Sequence, residues 1–225
     1  MSGPEVIGAV AGVAGLFTTA IEWFDYIYVA KNAGRQLESL LLKLDNAQLR
    51  LTRWGTAVGL NDPESMSLGE EYQQHAKATF QFIINAFSEC QRLCHEDREE
   101  LKKTEDDEIK PFGSDWSLMS RYLHDKMQRI VRGRKTGMST VQKAKFAVYK
   151  KDRLVKLIKD INEHLDQLYR DAPIEDEEQT RLGKAELDEF IHVLKALQTA
   201  SGSDKLLEGA LQSILNQKGG ISSQG

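Results

Sequence analysis

Between Val6 and Ile21 no residue carries a charge, and the run of Gly, Ala, Val, Leu and Phe continues to Ala30 interrupted only by Glu22 and Asp25. No other feature narrows the fold as much, because so long an uncharged stretch belongs either in a protein core or in lipid. As a helix rising 1.5 Å per residue it reaches roughly 24 Å, short of a hydrocarbon core of about 30 Å. Insertion would bring Glu22 to the membrane boundary or protonate it. Length alone therefore points to a buried core helix, while composition points elsewhere. Gly8, Gly12 and Gly15 each weaken a helix in water by up to about 1 kcal/mol relative to Ala, yet Gly8 and Gly12 also form a Gly-xxx-Gly face that lets membrane helices approach closely. The only charge ahead of the run is Glu5. The segment lacks the basic n-region of a secretory signal and is expected to be retained.

The remainder predicts an all-α protein, a single irregular multi-helix bundle. Only 4 Pro occur in 225 residues, so little interrupts the long stretches of Leu, Lys, Glu, Gln and Arg that lose least rotamer entropy in a helix. After Gly34, the positions Leu37, Leu40, Leu41, Leu44, Ala47, Leu51 and Trp54 recur at helical spacing up to Gly55. Asn61-Asp62-Pro63 reads as a turn, and Tyr72, Ala76, Phe80, Ile83, Ile84 and Phe87 mark a helix from about Leu68 to Leu93 with a solvated charged tail over Glu96 to Glu108. Ser114 or Asp115 is expected to cap a helix carrying Trp116, Met119, Leu123, Met127 and Ile130. Ser139 is expected to cap a long helix through Val141, Ala144, Ala147, Val148, Leu154, Leu157, Ile158, Ile161, Leu165 and Leu168 to Pro173. An acidic connection, Asp171 to Glu178, leads to a helix over about Thr180 to Ala200 and a further apolar set from Leu206 to Leu215. Residues 1–218 are read as one helical domain, and the Gly/Ser-rich Gly219 to Gly225 as a flexible tail.

Charge and motif content exclude several functions. A net charge of -4 offers no global field for nucleic acid. A phosphate loop, a nucleophile elbow, a His-Glu-x-x-His helix and an EF-hand loop are missing from the sequence, which predicts no enzymatic activity, no cofactor and no metal. Cys90 and Cys94 lie four apart and read as reduced thiols of a cytosolic protein, with His95 turned about 100° away from Cys94. Cations concentrate from Lys126 to Lys159, and Arg132, Arg134, Lys135, Lys143, Lys145, Lys150 and Lys151 form a candidate patch for an anionic membrane, each cation contributing about 1 kcal/mol near such a surface. The alternative is a solvated face balanced by the acidic stretches on either side.

Specific blocks carry a family resemblance. Val13-Ala-Gly-Leu-Phe17, Gly34-Arg35, Leu42-Lys-Leu-Asp45, Arg50-Leu-x-Arg-Trp-Gly-x-Ala-Val58, Lys110-Pro-x-Gly113 and Ala147-x-Tyr149 resemble the HeLo domain of the fungal HET-s/HET-S heterokaryon-incompatibility proteins. The resemblance implies an all-helical cell-death domain in the cytoplasm. In that family a C-terminal prion-forming segment, templated by another amyloid or by a receptor-borne motif, converts to a β-solenoid and forces the helical domain to refold. Its N-terminal segment then inserts into the cell membrane and, after oligomerisation, permeabilises it. Mapped here, the insertion segment comprises Val6, Ile7, Gly8, Val10, Gly12, Val13, Gly15, Leu16, Phe17, Ile21, Glu22, Trp23 and Phe24. Glu22 takes the place of the family's acid, and Asn32 and Ala33 fall where active and inactive alleles differ. Solenoid repeats do not occur in these 225 residues, and Gly219 to Gly225 is expected to begin a linker to them. The competing expectation is a non-lytic helical module that dimerises and regulates a partner. Self-association is expected under both readings.

Overall fold

A computed structural model describes residues 4–30, 37–61, 68–101, 109–110, 116–134 and 146–201. Among them six helices carry the architecture: α1 (Pro4–Phe24), α2 (Glu38–Ala57), α3 (Glu70–Leu101), α4 (Leu118–Arg134), α5 (Lys151–Asp171) and α6 (Asp176–Ser201). Residues 1–179 make one compact unit and residues 180–225 a second, which is described as far as Ser201 as the continuation of α6.

The centre of the first unit is α2. Leu40, Leu41, Leu44, Ala47, Leu51 and Trp54 are buried, and so are Asp45, Gln48, Leu49 and Thr52 on its other sides. A helix buried nearly all round must be enclosed by neighbours, and α1, α4 and α5 pack against it. Trp54 anchors it: the indole Nε1–H donates to the Ala172 carbonyl at 3.0 Å, and the ring meets Phe80 edge-on with centroids 5.9 Å apart. The helix continues through Gly55 and stops at Gly59, whose φ of 76° is open to glycine at little cost. There Leu60 N–H donates to the Gly55 carbonyl and Gly59 N–H to the Thr56 carbonyl, the paired bonds of a Schellman stop.

Opposite lie α3 and α5. The buried face of α5 is Leu154, Leu157, Ile158, Ile161, Leu165 and Leu168, each three or four residues from another, as one helical stripe requires. It packs on both α2 and α3. The N-terminus of α4 is set by Ser117, whose hydroxyl accepts from Ser120 N–H at 3.2 Å, and Glu38 reaches across from the first turn of α2 to accept from Ser117 N–H at 3.0 Å.

Several expected boundaries move. The apolar run does not stay helical to Ala30: α1 ends at Phe24, and Ile27–Ala30 is a strand, β1. Ala147 and Val148 are not helical either, since Phe146–Val148 forms β3, which lies parallel to β1 with Ile27 opposite Phe146 and Val29 opposite Val148. A third strand, β2 (Ile109–Lys110), pairs antiparallel on the far side of β1. β-Branched and aromatic residues in three- and four-residue runs favour this ribbon over a short continuation of helix. The charged tail expected to be solvated is, from Glu96 to Leu101, the last turn and a half of α3, and it buries Asp97. α6 starts inside the expected acidic connection, where Asp176, Glu177 and Glu178 complement the helix dipole. The caps expected at Ser114, Asp115 and Ser139 and the tail 219–225 lie outside the described residues.

Candidate functional site: the seat of the N-terminal helix

Four-residue spacing puts Val13, Phe17 and Ile21 on one stripe of α1, with Ala20 and Phe24 beside it, and all five are buried against α2 and α3. Phe80 and Phe87, two turns apart on α3, receive the two aromatic groups of α1. Phe17 meets Phe80 at 5.5 Å between centroids, while Phe87 takes Phe24 edge-on at 4.8 Å and Trp23 stacked at 6.0 Å. Trp23 also touches Phe146, so the β3 strand closes the lower end of the seat.

Gly55 determines how closely α1 sits on α2. A β-carbon there would run into the Phe17 ring, with even the farthest of three ring atoms, Cε1, at 2.9 Å. The Phe17 ring therefore occupies the space that any side chain at position 55 would fill. Sequence spacing places Gly55 at the end of a helix, whereas its packing makes it the floor of the seat.

A buried polar relay secures the C-terminal end of α1. The Gln48 amide, wholly buried on α2, donates to the Ile21 carbonyl and to Asp25 Oδ1, each at 3.1 Å. The Ile21 carbonyl lies in the last turn of α1, where helix carbonyls lack intrahelical donors. Gln48 Oε1 accepts from Gln128 Nε2 of α4 at 2.8 Å, Gln128 also donates to Asp45 Oδ1 at 3.0 Å, and Asp45 Oδ2 lies 2.8 Å from His124 Nδ1. Three helices are thus joined through one chain of side chains. Sequence reasoning missed Gln48, Gln128 and Asp45; the available signal was a glutamine and an aspartate set among the closely spaced leucines of α2.

The opposite face of α1 is less enclosed. Gly12, Ala14, Leu16, Thr18, Thr19 and Glu22 are half-buried and Gly15 is exposed. The helix is more apolar than its seat requires, for most of that outer face carries no polar side chain. Among the described residues no helix is long and apolar enough to cross a membrane. Val6, Ile7, Gly8 and Val10 belong to α1, but their side chains lie outside the described residues, as do Asn32 and Ala33 entirely.

The basic residues divide. Arg132 and Arg134 stand in the last turn of α4, where they complement its dipole, and Lys151 is exposed at the start of α5. Lys150 is committed to an ion pair with the buried Asp97 at 2.7 Å and to Glu100 at 3.3 Å. Lys135, Lys143 and Lys145 lie outside the described residues.

Comparison with known proteins gives the following. Residues 5–199 match the HeLo family, described as prion-inhibition and propagation. Heterokaryon incompatibility protein S of Podospora anserina is 32% identical over 184 residues, covering 78% of this chain and 61% of that protein. Heterokaryon incompatibility protein s of the same fungus is 32% identical over 182 residues, 76% of this chain and 61% of that one. The chain thus spans about three fifths of the length of these curated relatives. The solved HET-s N-terminal domain superposes with a TM-score of 0.70 at 28% identity, covering 91% of this chain and 97% of that one, and a double-mutant form of it with 0.69 at 26% identity, covering 89% and 96%.

Proposed function

Because the chain belongs to the HeLo family, we propose that it is the effector domain of a fungal heterokaryon-incompatibility protein, held at rest by the seating of α1 and made lytic by its release. The trigger in this reading is amyloid conversion of a prion-forming segment or contact with a receptor-borne amyloid motif. The released segment, Val6 to Ala30, moves from the cytoplasmic bundle to an anionic cell membrane, and copies associate there to permeabilise it.

The observation that carries the reading is the mismatch between α1 and its seat. Burial of Val13, Phe17, Ile21 and Phe24 contributes roughly 1.5–3 kcal/mol per side chain, and lipid would supply the same. Those residues therefore do not decide where α1 resides. A state is favoured only by what differs between the two environments. The outer face, with half-buried Ala14 and Leu16 and exposed Gly15, gains further burial only in lipid. The Gln48 bonds to Ile21 and Asp25, and hydration of Glu22, count only in the bundle. A perturbation that unseats Phe17 from Gly55 or breaks the Gln48 relay tips this balance outward.

Dye release from anionic liposomes tests it. The full-length gene product, seeded with preformed amyloid of its own C-terminal segment, is expected to release dye, and deletion of residues 1–30 is expected to abolish that release. Leakage that survives the deletion would remove α1 as the lytic element. Absence of leakage despite confirmed amyloid conversion would favour the non-lytic interaction module.

A further inference from the structure

Cys90 and Cys94, the only two cysteines of the chain, take no part in seating α1. Both are buried on the face of α3 turned toward β3 and α5, with their sulfurs 4.0 Å apart. We propose that they form a two-thiolate site for a soft monovalent metal ion of the Cu(I) class.

The distance is the first argument. A disulfide requires about 2.05 Å between sulfurs, half the separation seen, and two sulfurs one turn apart on a continuous helix do not close that gap without distorting it. Two metal–sulfur bonds of about 2.3 Å placed end to end span about 4.6 Å. The pair thus accepts a two-coordinate ion after opening by roughly half an ångström, a movement within the reach of small χ1 adjustments. Among the described residues no group of three or more His, Cys, Asp or Glu side chains is placed to hold a metal ion. Among the described residues a four-coordinate zinc site lacks its ligands, whereas a two-coordinate pair of soft thiolates suits Cu(I).

Access and charge are the second argument. Cys94 lines a cavity of about 620 Å³ between α3 and β3, together with His95, Phe146 and Tyr149. Cys90 lines a separate cleft of about 40 Å³ beside Arg153 and Lys156. An ion entering from the larger cavity meets Cys94 first. The two thiols are in contact with each other, sulfur to sulfur at 4.0 Å, so both stand ready for one ion. The ion displaces both thiol protons. Binding is redox-neutral: two S–H bonds break, two Cu–S bonds form, two protons leave to solvent, and the product RS–Cu–SR carries one negative charge. Arg153 pairs with Asp97, one turn beyond Cys94, and also lines the cleft beside Cys90, which places a guanidinium next to the negative product.

The test is anaerobic titration of the reduced chain with Cu(I) against a chromophoric chelator. One equivalent is expected to bind, raising the melting temperature because the ion binds the folded state. Cys90→Ala and Cys94→Ala should each weaken binding about 100-fold or more, the loss expected when two linked donors become one. X-ray absorption of the wild-type complex should show two sulfur neighbours, and this reading stands by itself if an alanine variant loses its helical spectrum. Single variants that bind as tightly as wild type, or a metal with nitrogen, oxygen or three sulfur neighbours, would overturn the site.

Discussion

Gly55 and Phe17 meet where α1 approaches α2 most closely, and a single methyl group suffices to disturb that approach. Gly55→Ala forces the Phe17 ring out of its place. Overpacking of this kind costs about 1–3 kcal/mol, while Phe17→Ala, which empties the seat, costs about 3–5 kcal/mol. In the double variant the new methyl occupies space the ring has vacated. Urea denaturation should therefore show the double variant less destabilised than the sum of the singles, by about 0.5–3 kcal/mol of coupling; simple additivity would contradict the contact. Gln48→Ala strips donors from the Ile21 carbonyl and an acceptor from Gln128, and a loss of about 1–3 kcal/mol is expected in the same measurement. Neither role was legible in sequence. Gly55 reads as a helix terminator because glycine usually is one, and Gln48 carries no local signal because its partners, Ile21 and Gln128, lie 27 and 80 positions away.

Among the elements, the buried face of α5 was legible, since six apolar positions at helical spacing leave one way to bury them, but its start was not: Ala147 and Val148, read into the same helix, form β3. The ribbon was not, because strands of two to four residues contain too few positions to display a period. The α3–α5 clasp was misread for a related reason. Asp97 lies in a charge-rich run, and only its opposition to Lys150 and Arg153 on another element makes it internal. Desolvation pushes its carboxyl up, but the bonds from Arg153 and Lys150 outweigh that and hold it below the usual carboxylate range. A carboxylate lowered in the folded state adds stability above its unfolded value of about 4 and loses it as pH falls through the folded value. Asp97→Asn should be less stable than wild type at pH 7, with the gap narrowing below pH ~4; a gap independent of pH would show that the clasp is not electrostatic. For α1 the informative substitution is Leu16→Lys rather than Val13→Lys. Val13 is fully buried at rest, so its lysine variant unseats the helix, whereas half-buried Leu16 tolerates a lysine in the bundle. On insertion scales that charge costs about 2.5–3.5 kcal/mol at a helix centre. Leu16→Lys is expected to keep the wild-type melting temperature and lose liposome leakage; undiminished leakage would place the inserted stretch elsewhere.

At the scale of the whole molecule, α2 is enclosed by α1, α4 and α5, and α5 packs in turn on α3. The α2–α4–α5 packing and the bonds of the α3–α5 clasp are made without residues of α1. Such an arrangement predicts two levels of stability, a local one for α1 and a global one for the helices around α2. Trp54, tied to Ala172, and the α5 face belong to the global level. The seating of Phe17 on Gly55 and the Gln48 relay belong to the local one. Native-state hydrogen exchange, read segment by segment in wild type and in Gly55→Ala, tests this division most directly. The amides of residues 13–24 are expected to exchange through a smaller opening than those of α5, and Gly55→Ala is expected to lower protection in α1 while leaving α5 unchanged. Exchange of α1 and α5 together as one cooperative unit, lowered equally by the substitution, would contradict the division.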